Sequence, residues 1–142
     1  MATASIDEAS VQGSRSVDTN IGWALSGAAI LFLGMDAGGK LLVPAMMAAY
    51  TTPRLGLPTD PGFYRLLGAI LALCTTLYAI PRTALLGAVL LSGYLGGAVA
   101  THLSAGSPLL SSTLFGVYLG FAAWGGLWLR DSRLRRLLPL RR

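Results

Sequence analysis

Residues 63–103 read FYRLLGAILALCTTLYAIPRTALLGAVLLSGYLGGAVATHL, and the fold is decided in this stretch. Two apolar runs, 63–80 and 83–103, are separated only by Pro81 and Arg82. Each has close to the ~20 residues with which an α-helix crosses ~30 Å of hydrocarbon. Two residues cannot carry a chain back across a bilayer, so the runs are antiparallel neighbours joined by a tight hairpin. Working outward, residues 21–43 form another apolar run that stops at Pro44, and residues 109–129 form a fourth after Pro108. Between the first two lies a loop, 45–62, with Pro53, Pro58 and Pro61 and room for a short interfacial segment at AMMAAY. The expectation is an all-α membrane protein, a four-helix transmembrane bundle with one membrane domain over 21–129. Residues 1–20 are expected as a flexible tail and 130–142 as a basic one.

The composition agrees. Of 142 residues, 54% are hydrophobic and 12% charged, about half the charged fraction of an ordinary soluble domain. A mean hydropathy of +0.62 is too high for a globule of this size to hide from water. Of the charges, four lie in the first twenty positions and seven from Arg130 onward, leaving six between. The net charge of +5 is therefore a property of the C-terminal tail and not a surface for nucleic acid. The single cysteine, Cys74, excludes an intramolecular disulfide and a cysteine-based zinc site, and it reads as a small buried apolar residue. No metal site is expected.

Orientation follows from the arginines. Arg130, Arg133, Arg135, Arg136, Arg141 and Arg142 against Asp131 place the C-terminus in the cytoplasm by the positive-inside bias, and four spans return the N-terminus there. The hairpin at Arg82 then falls inside. Trp23, Trp124 and Trp128 would mark the inner interface, and Tyr50, Phe63 and Tyr64 the outer. The first run is too long for a cleaved secretory signal and contains Asp36 and Lys40. The tail RLRRLLPLRR alternates arginine with leucine, a pattern suited to lying on an anionic leaflet.

Lipid gives helices no hydrophobic reason to associate, so small residues that let backbones approach are expected at the contacts. Ala88, Ser92, Gly96 and Ala100 recur at four-residue spacing in the third span, with Gly93 and Gly97 one position over. Gly34 and Gly38, Gly68, and Gly116 and Gly120 repeat the pattern in the other spans. The reading is bundle packing, either within one chain or between two copies. The alternative is that such glycines line a pocket for a flat lipid-soluble ligand.

Charge within a span is costly and therefore informative. Asp36 and Lys40 stand at i and i+4, where a carboxylate and an ammonium pair. At ~1.5 Å per residue they lie about 22 and 28 Å above the inner end, and His102 about 28 Å. Arg65, Thr101 and His102 thus share their depth, with Tyr94 on the row of His102 nearer the centre. One reading has Lys40, Arg65 and His102 snorkel to headgroups while Asp36 neutralises Lys40. A second gathers Asp36, Lys40, Arg65, Tyr94, Thr101 and His102 into a polar pocket opening outward, where Asp36 or His102 handles a proton or Lys40 holds an anionic head group, and a third has these residues contact a partner protein.

FLGMDAGGKLLVP (32–44), IPRTALLGAVLLSGYLGGAVATHL (80–103) and WGGLWLRDSRLRRLLPLRR (124–142) resemble the DoxX-like integral membrane proteins. The Pro-Arg-Thr turn with the GGAVATH stretch is the most specific part. The resemblance implies a four-helix membrane bundle, in a family whose name derives from proteins associated with a quinol oxidase and with thiosulfate-to-quinone electron transfer. One departure is Leu71, near which relatives often carry an acid. His102 is the only histidine, which excludes a bis-histidine haem, and a quinone is the candidate cofactor. Three functions fit. The first is a non-catalytic or accessory protein of the cell membrane that binds a quinone or another lipophile between helices. The second is the membrane subunit of a quinone-linked oxidoreductase, with a protein partner. The third is a small proton-coupled transporter acting as a homodimer.

Overall fold

The computed structural model describes the backbone over residues 2–137 and side chains over 16–136. It is all-helical: α1 (Ala2–Leu42), α2 (Pro44–Leu55), α3 (Pro61–Ala79), α4 (Ala84–Ser104), a π-helical turn (Leu109–Thr113), α5 (Phe115–Arg130) and α6 (Ser132–Leu137). Four segments are long and apolar enough to cross a membrane: Ser16–Leu42, Pro61–Ala79, Ala84–Ser104 and Leu109–Arg130.

The boundaries have local causes. Pro44, which has no N–H to give, stands at the start of α2, so the chain turns there with little loss. Gly56, at φ 66°, ends α2 in the left-handed conformation that a side chain disfavours. Asp60 caps α3 by accepting the Phe63 N–H at 3.1 Å, and Pro61 follows. The loop expected over 45–62 is thus mostly helix. Pro53 does not prevent this. α1 begins at Ala2, upstream of the span, in a stretch with no proline to stop a helix. Of the basic tail, residues 132–137 form α6, while 138–142 with Arg141 and Arg142 lie outside the described residues.

The spanning helices form a square. α1 packs on α3 and α5, and α4 closes the ring against the same two, while α3 and α5 meet across a diagonal through the Tyr78 and Arg130 side chains. Neighbours are antiparallel. Gly22 of α1 meets Leu129 and Arg130 of α5, while Phe32 meets Phe115 edge-on at 5.0 Å. Both ends of the membrane domain therefore emerge on one face of the bundle. Inward stripes at helical spacing fill the centre: Ala29, Leu33 and Ala37; Leu71, Cys74 and Tyr78; Ala84, Ala88, Leu91 and Leu95; Ala123 and Leu127. Large apolar side chains such as Leu31, Met35, Leu73, Val89 and Phe121 face outward, as lipid contact requires.

The closest backbone approaches occur at glycines outside the expected rows. A methyl group on Gly22 would lie 2.8 Å from Arg130 N, on Gly126 2.5 Å from Ser26 Oγ, and on Gly87 2.2 Å from Tyr78 N. Among the expected positions, Gly68 fits against Lys40, Leu41 and Ala37, and Gly116 against Val99 and Leu95. Ala88 is buried and Ser92 joins α4 to α5 by accepting the Trp124 indole N–H at 2.8 Å. Gly34, Gly38, Gly93, Gly96, Gly97 and Gly120 meet no neighbour within 4 Å, and Ala100 is exposed. Within the chain these last are not contacts. Periodicity had grouped them on a face without saying what that face meets.

Polar ties hold the end of the bundle that carries the termini. The buried Tyr78 hydroxyl donates its one proton to Ala123 O at 2.7 Å, so Ser26 Oγ, 3.0 Å away, is the donor to it. Arg130 donates to Tyr78 O at 3.0 Å and stacks on the Trp23 and Tyr78 rings. Tyr78→Phe removes a link among α1, α3 and α5. We expect a loss of about 1–3 kcal/mol, read as a lower unfolding temperature in mild detergent. Ser26→Ala should cost less, because Tyr78 keeps its bond to Ala123.

Candidate ligand cavity

Beyond these ties, at the opposite end, the square does not fill. A cavity of about 410 Å³ lies between the second half of α1, the starts of α3 and α5 and the second half of α4. Its walls are mainly apolar: Phe32 and Leu33 from α1, Leu67 from α3, Leu95 from α4, Phe115 and Leu119 from α5. α2 roofs it through Thr51 and Leu55. The roof is tied down by Tyr64, whose buried hydroxyl bonds Thr51 at 3.1 Å and Thr52 at 3.2 Å. Tyr64 is thus a structural post, and only Tyr50, with Arg54 4.0 Å over its ring, keeps the exposed setting expected of that aromatic belt.

Four of the expected polar residues reach the cavity. Asp36 and Lys40 line it and form a salt bridge with each other, the i,i+4 pair read from the sequence. Tyr94 and Thr101 line it from α4. The Thr101 hydroxyl donates to Gly97 O at 2.9 Å, while the Tyr94 hydroxyl has no hydrogen bond among the described residues. Two others stay out. Arg65 is exposed on α3, and His102 bonds Ser107 through Nδ1 at 3.1 Å in the loop after α4. The physical reason is helical drift: each four-residue step turns about 40° past a full turn, so two steps from Tyr94 carry His102 about 80° away. Thr101, seven residues on, returns to within about 20°.

Gly93, Gly97 and Ala98 form a low wall on α4 beside Tyr94. Gly93 and Gly97 border the cavity and meet no neighbouring helix within the chain. The residues that sequence reasoning missed are the roof, Thr51 and Leu55, and its post Tyr64. A hint was present in the apolar segment after Pro44. Leu71, where an acid was expected, is fully buried in the core away from the cavity lining. Cys74 is a free thiol in the same core. No group of histidine, cysteine and carboxylate side chains that could hold a metal occurs among the described residues.

Residues 24–126 match the family model of the DoxX-like proteins. The chain belongs to the DoxX-like family. No curated protein and no solved structure matches it. The family match reaches into all four spans, from within α1 to most of α5, and takes in every residue of the cavity. With four candidate spans, this DoxX-like protein is a multi-pass membrane protein.

The charge pair permits a direct test within the DoxX-like bundle. Lys40→Met leaves the Asp36 carboxylate without its partner in a largely apolar wall, at a cost of about 2–3 kcal/mol. The double variant Asp36→Asn with Lys40→Met removes both charges. It should recover most of that loss, as read by thermal unfolding in detergent. Equal stability of the single and double variants would mean that the pair is solvated on its own.

Proposed function

We propose that this DoxX-like protein resides in the cell membrane with both termini in the cytoplasm. In our reading it binds a lipophilic molecule with a flat, carbonyl-bearing head, of the quinone class, as a non-catalytic or accessory component. The observation that carries this reading is the pairing of an open glycine wall with a small set of donors in one apolar cavity. Gly93 and Gly97 leave room for a ring to lie against α4. Lys40 spends one N–H on Asp36 and keeps two, and Tyr94 has a free hydroxyl, so two donors are available to carbonyl oxygens. The volume falls within the ~300–1,000 Å³ of small-molecule sites, which are typically apolar with a few placed polar groups.

The orientation rests on the arginine bias. Arg82, Arg130 and Arg133 meet at the end that carries the termini, and the positive-inside bias then supports a cavity toward the outer leaflet. Solvent extraction of the protein purified in mild detergent, followed by mass spectrometry, should return a carbonyl-bearing lipophile near one per chain. A purified protein free of such a molecule, and unchanged in stability when a quinone is added, would contradict the reading.

A further inference from the structure

A second cavity, of about 320 Å³, lies at the end of the bundle that carries the termini, between the α3–α4 hairpin and the α5–α6 junction. Arg82, Arg130 and Arg133 line it, from three different segments, against the single carboxylate of Asp131. Asp131 accepts the Arg133 backbone N–H at 2.8 Å and forms no salt bridge among the described residues, so the guanidiniums are not neutralised by it. Arg130 is fixed in place. One of its amino groups donates to Tyr78 O, its plane lies over Trp23 at 4.6 Å, and Nη1 is buried with no partner. Ala84 also lines the cavity, where α4 begins with no side-chain cap, so the positive end of that helix dipole adds to the field.

We infer that this cavity binds the phosphate of an anionic phospholipid headgroup. Three guanidiniums from separate segments offer the forked donors that phosphate oxygens accept. A lipid is favoured over a soluble phosphate by the surroundings. Trp23, Ile80, Leu85 and Leu86 are exposed beside the hairpin and the start of α4, so an apolar belt begins where the arginines end. That is the boundary at which headgroup meets acyl chain. The site is independent of the orientation and of the cavity at Asp36.

Native mass spectrometry of the full chain in detergent, titrated with phosphatidylglycerol, tests this. The Arg82→Gln/Arg133→Gln variant is compared with Arg135→Gln/Arg136→Gln, which removes equal charge outside the cavity lining. One lipid should be retained by the wild type and the second variant, and bound roughly 25-fold more weakly by the first, about fivefold per arginine. The Arg82→Lys/Arg133→Lys version, which keeps the charge, guards against a folding artefact and should retain part of the affinity. Equal loss in both Gln variants would reduce the effect to general charge and overturn the site. Displacement of the lipid by millimolar inorganic phosphate would overturn its assignment to a lipid headgroup.

Discussion

Replacing Gly87 by alanine is expected to open the α3–α4 hairpin. The added methyl would stand 2.2 Å from Tyr78 N, 2.5 Å from Tyr78 Cα and 2.7 Å from Leu77 C. All three are backbone atoms, so no flexible side chain can swing aside and the helices themselves must part. The turn cannot absorb the shift easily. Thr83 Oγ1 holds Leu77 O at 2.8 Å, and the Gly87 N–H bonds Thr83 O at 2.9 Å. Moving Tyr78 also strains its bonds to Ala123 and Ser26 and the Arg130 bond to its carbonyl. Overpacking with loss of these ties should cost about 3 kcal/mol or more. In size-exclusion chromatography from mild detergent, the monodisperse peak should shrink and its thermal midpoint fall by several degrees. Gly34→Ala is the control, because a methyl there meets nothing within 4 Å. It should leave stability equal or raise it by about 0.5–1 kcal/mol through helix propensity. A Gly87→Ala protein as stable as the wild type would show that the hairpin is looser than this packing implies.

The second large effect is expected at Gly97. A side chain there has open space before it, and the position lines the cavity between Tyr94 and Thr101. Phenylalanine at this site would occupy the room proposed for a ligand ring without displacing backbone. Folding should persist while ligand affinity falls at least tenfold, about 1.4 kcal/mol. The contrast with Gly87 separates the two uses of glycine in this chain. At Gly87 the missing side chain lets helices touch, and at Gly97 it leaves a space.

That contrast also explains how far the sequence could be read. The four spans, the Pro81-Arg82 hairpin and the Asp36–Lys40 pair follow from run length and i,i+4 spacing, which are properties of a single helix. The glycine rows alone do not name a partner, because packing belongs to two helices: Gly68 and Gly116 meet neighbours within the chain, and Gly34 and Gly96 do not. In a membrane the lipid-facing and bundle-facing sides are both apolar, so Gly34 and Gly96 look like Gly22 and Gly126 until a neighbour is known. His102 joins Tyr94 on a four-residue row in the sequence, and each step of such a row drifts about 40° round the helix. α2 lay in a stretch with three prolines, yet Pro44 starts a helix readily and Pro53 did not end it. Tyr64 and Trp124 resembled belt aromatics in sequence, but their hydroxyl and indole N–H are spent on α2 and on Ser92. These bonds join segments distant in the chain, which no local pattern reports.

We propose that the cavity beside Asp36, Lys40 and Tyr94 holds a carbonyl-bearing lipophile. The most direct test is a titration of a short-chain benzoquinone into the detergent-purified protein, followed by thermal unfolding, for the wild type and Gly97→Phe side by side. A saturable rise in the unfolding temperature of the wild type, absent from a folded Gly97→Phe, is the predicted result. The same rise in both proteins, or none in either, would contradict it.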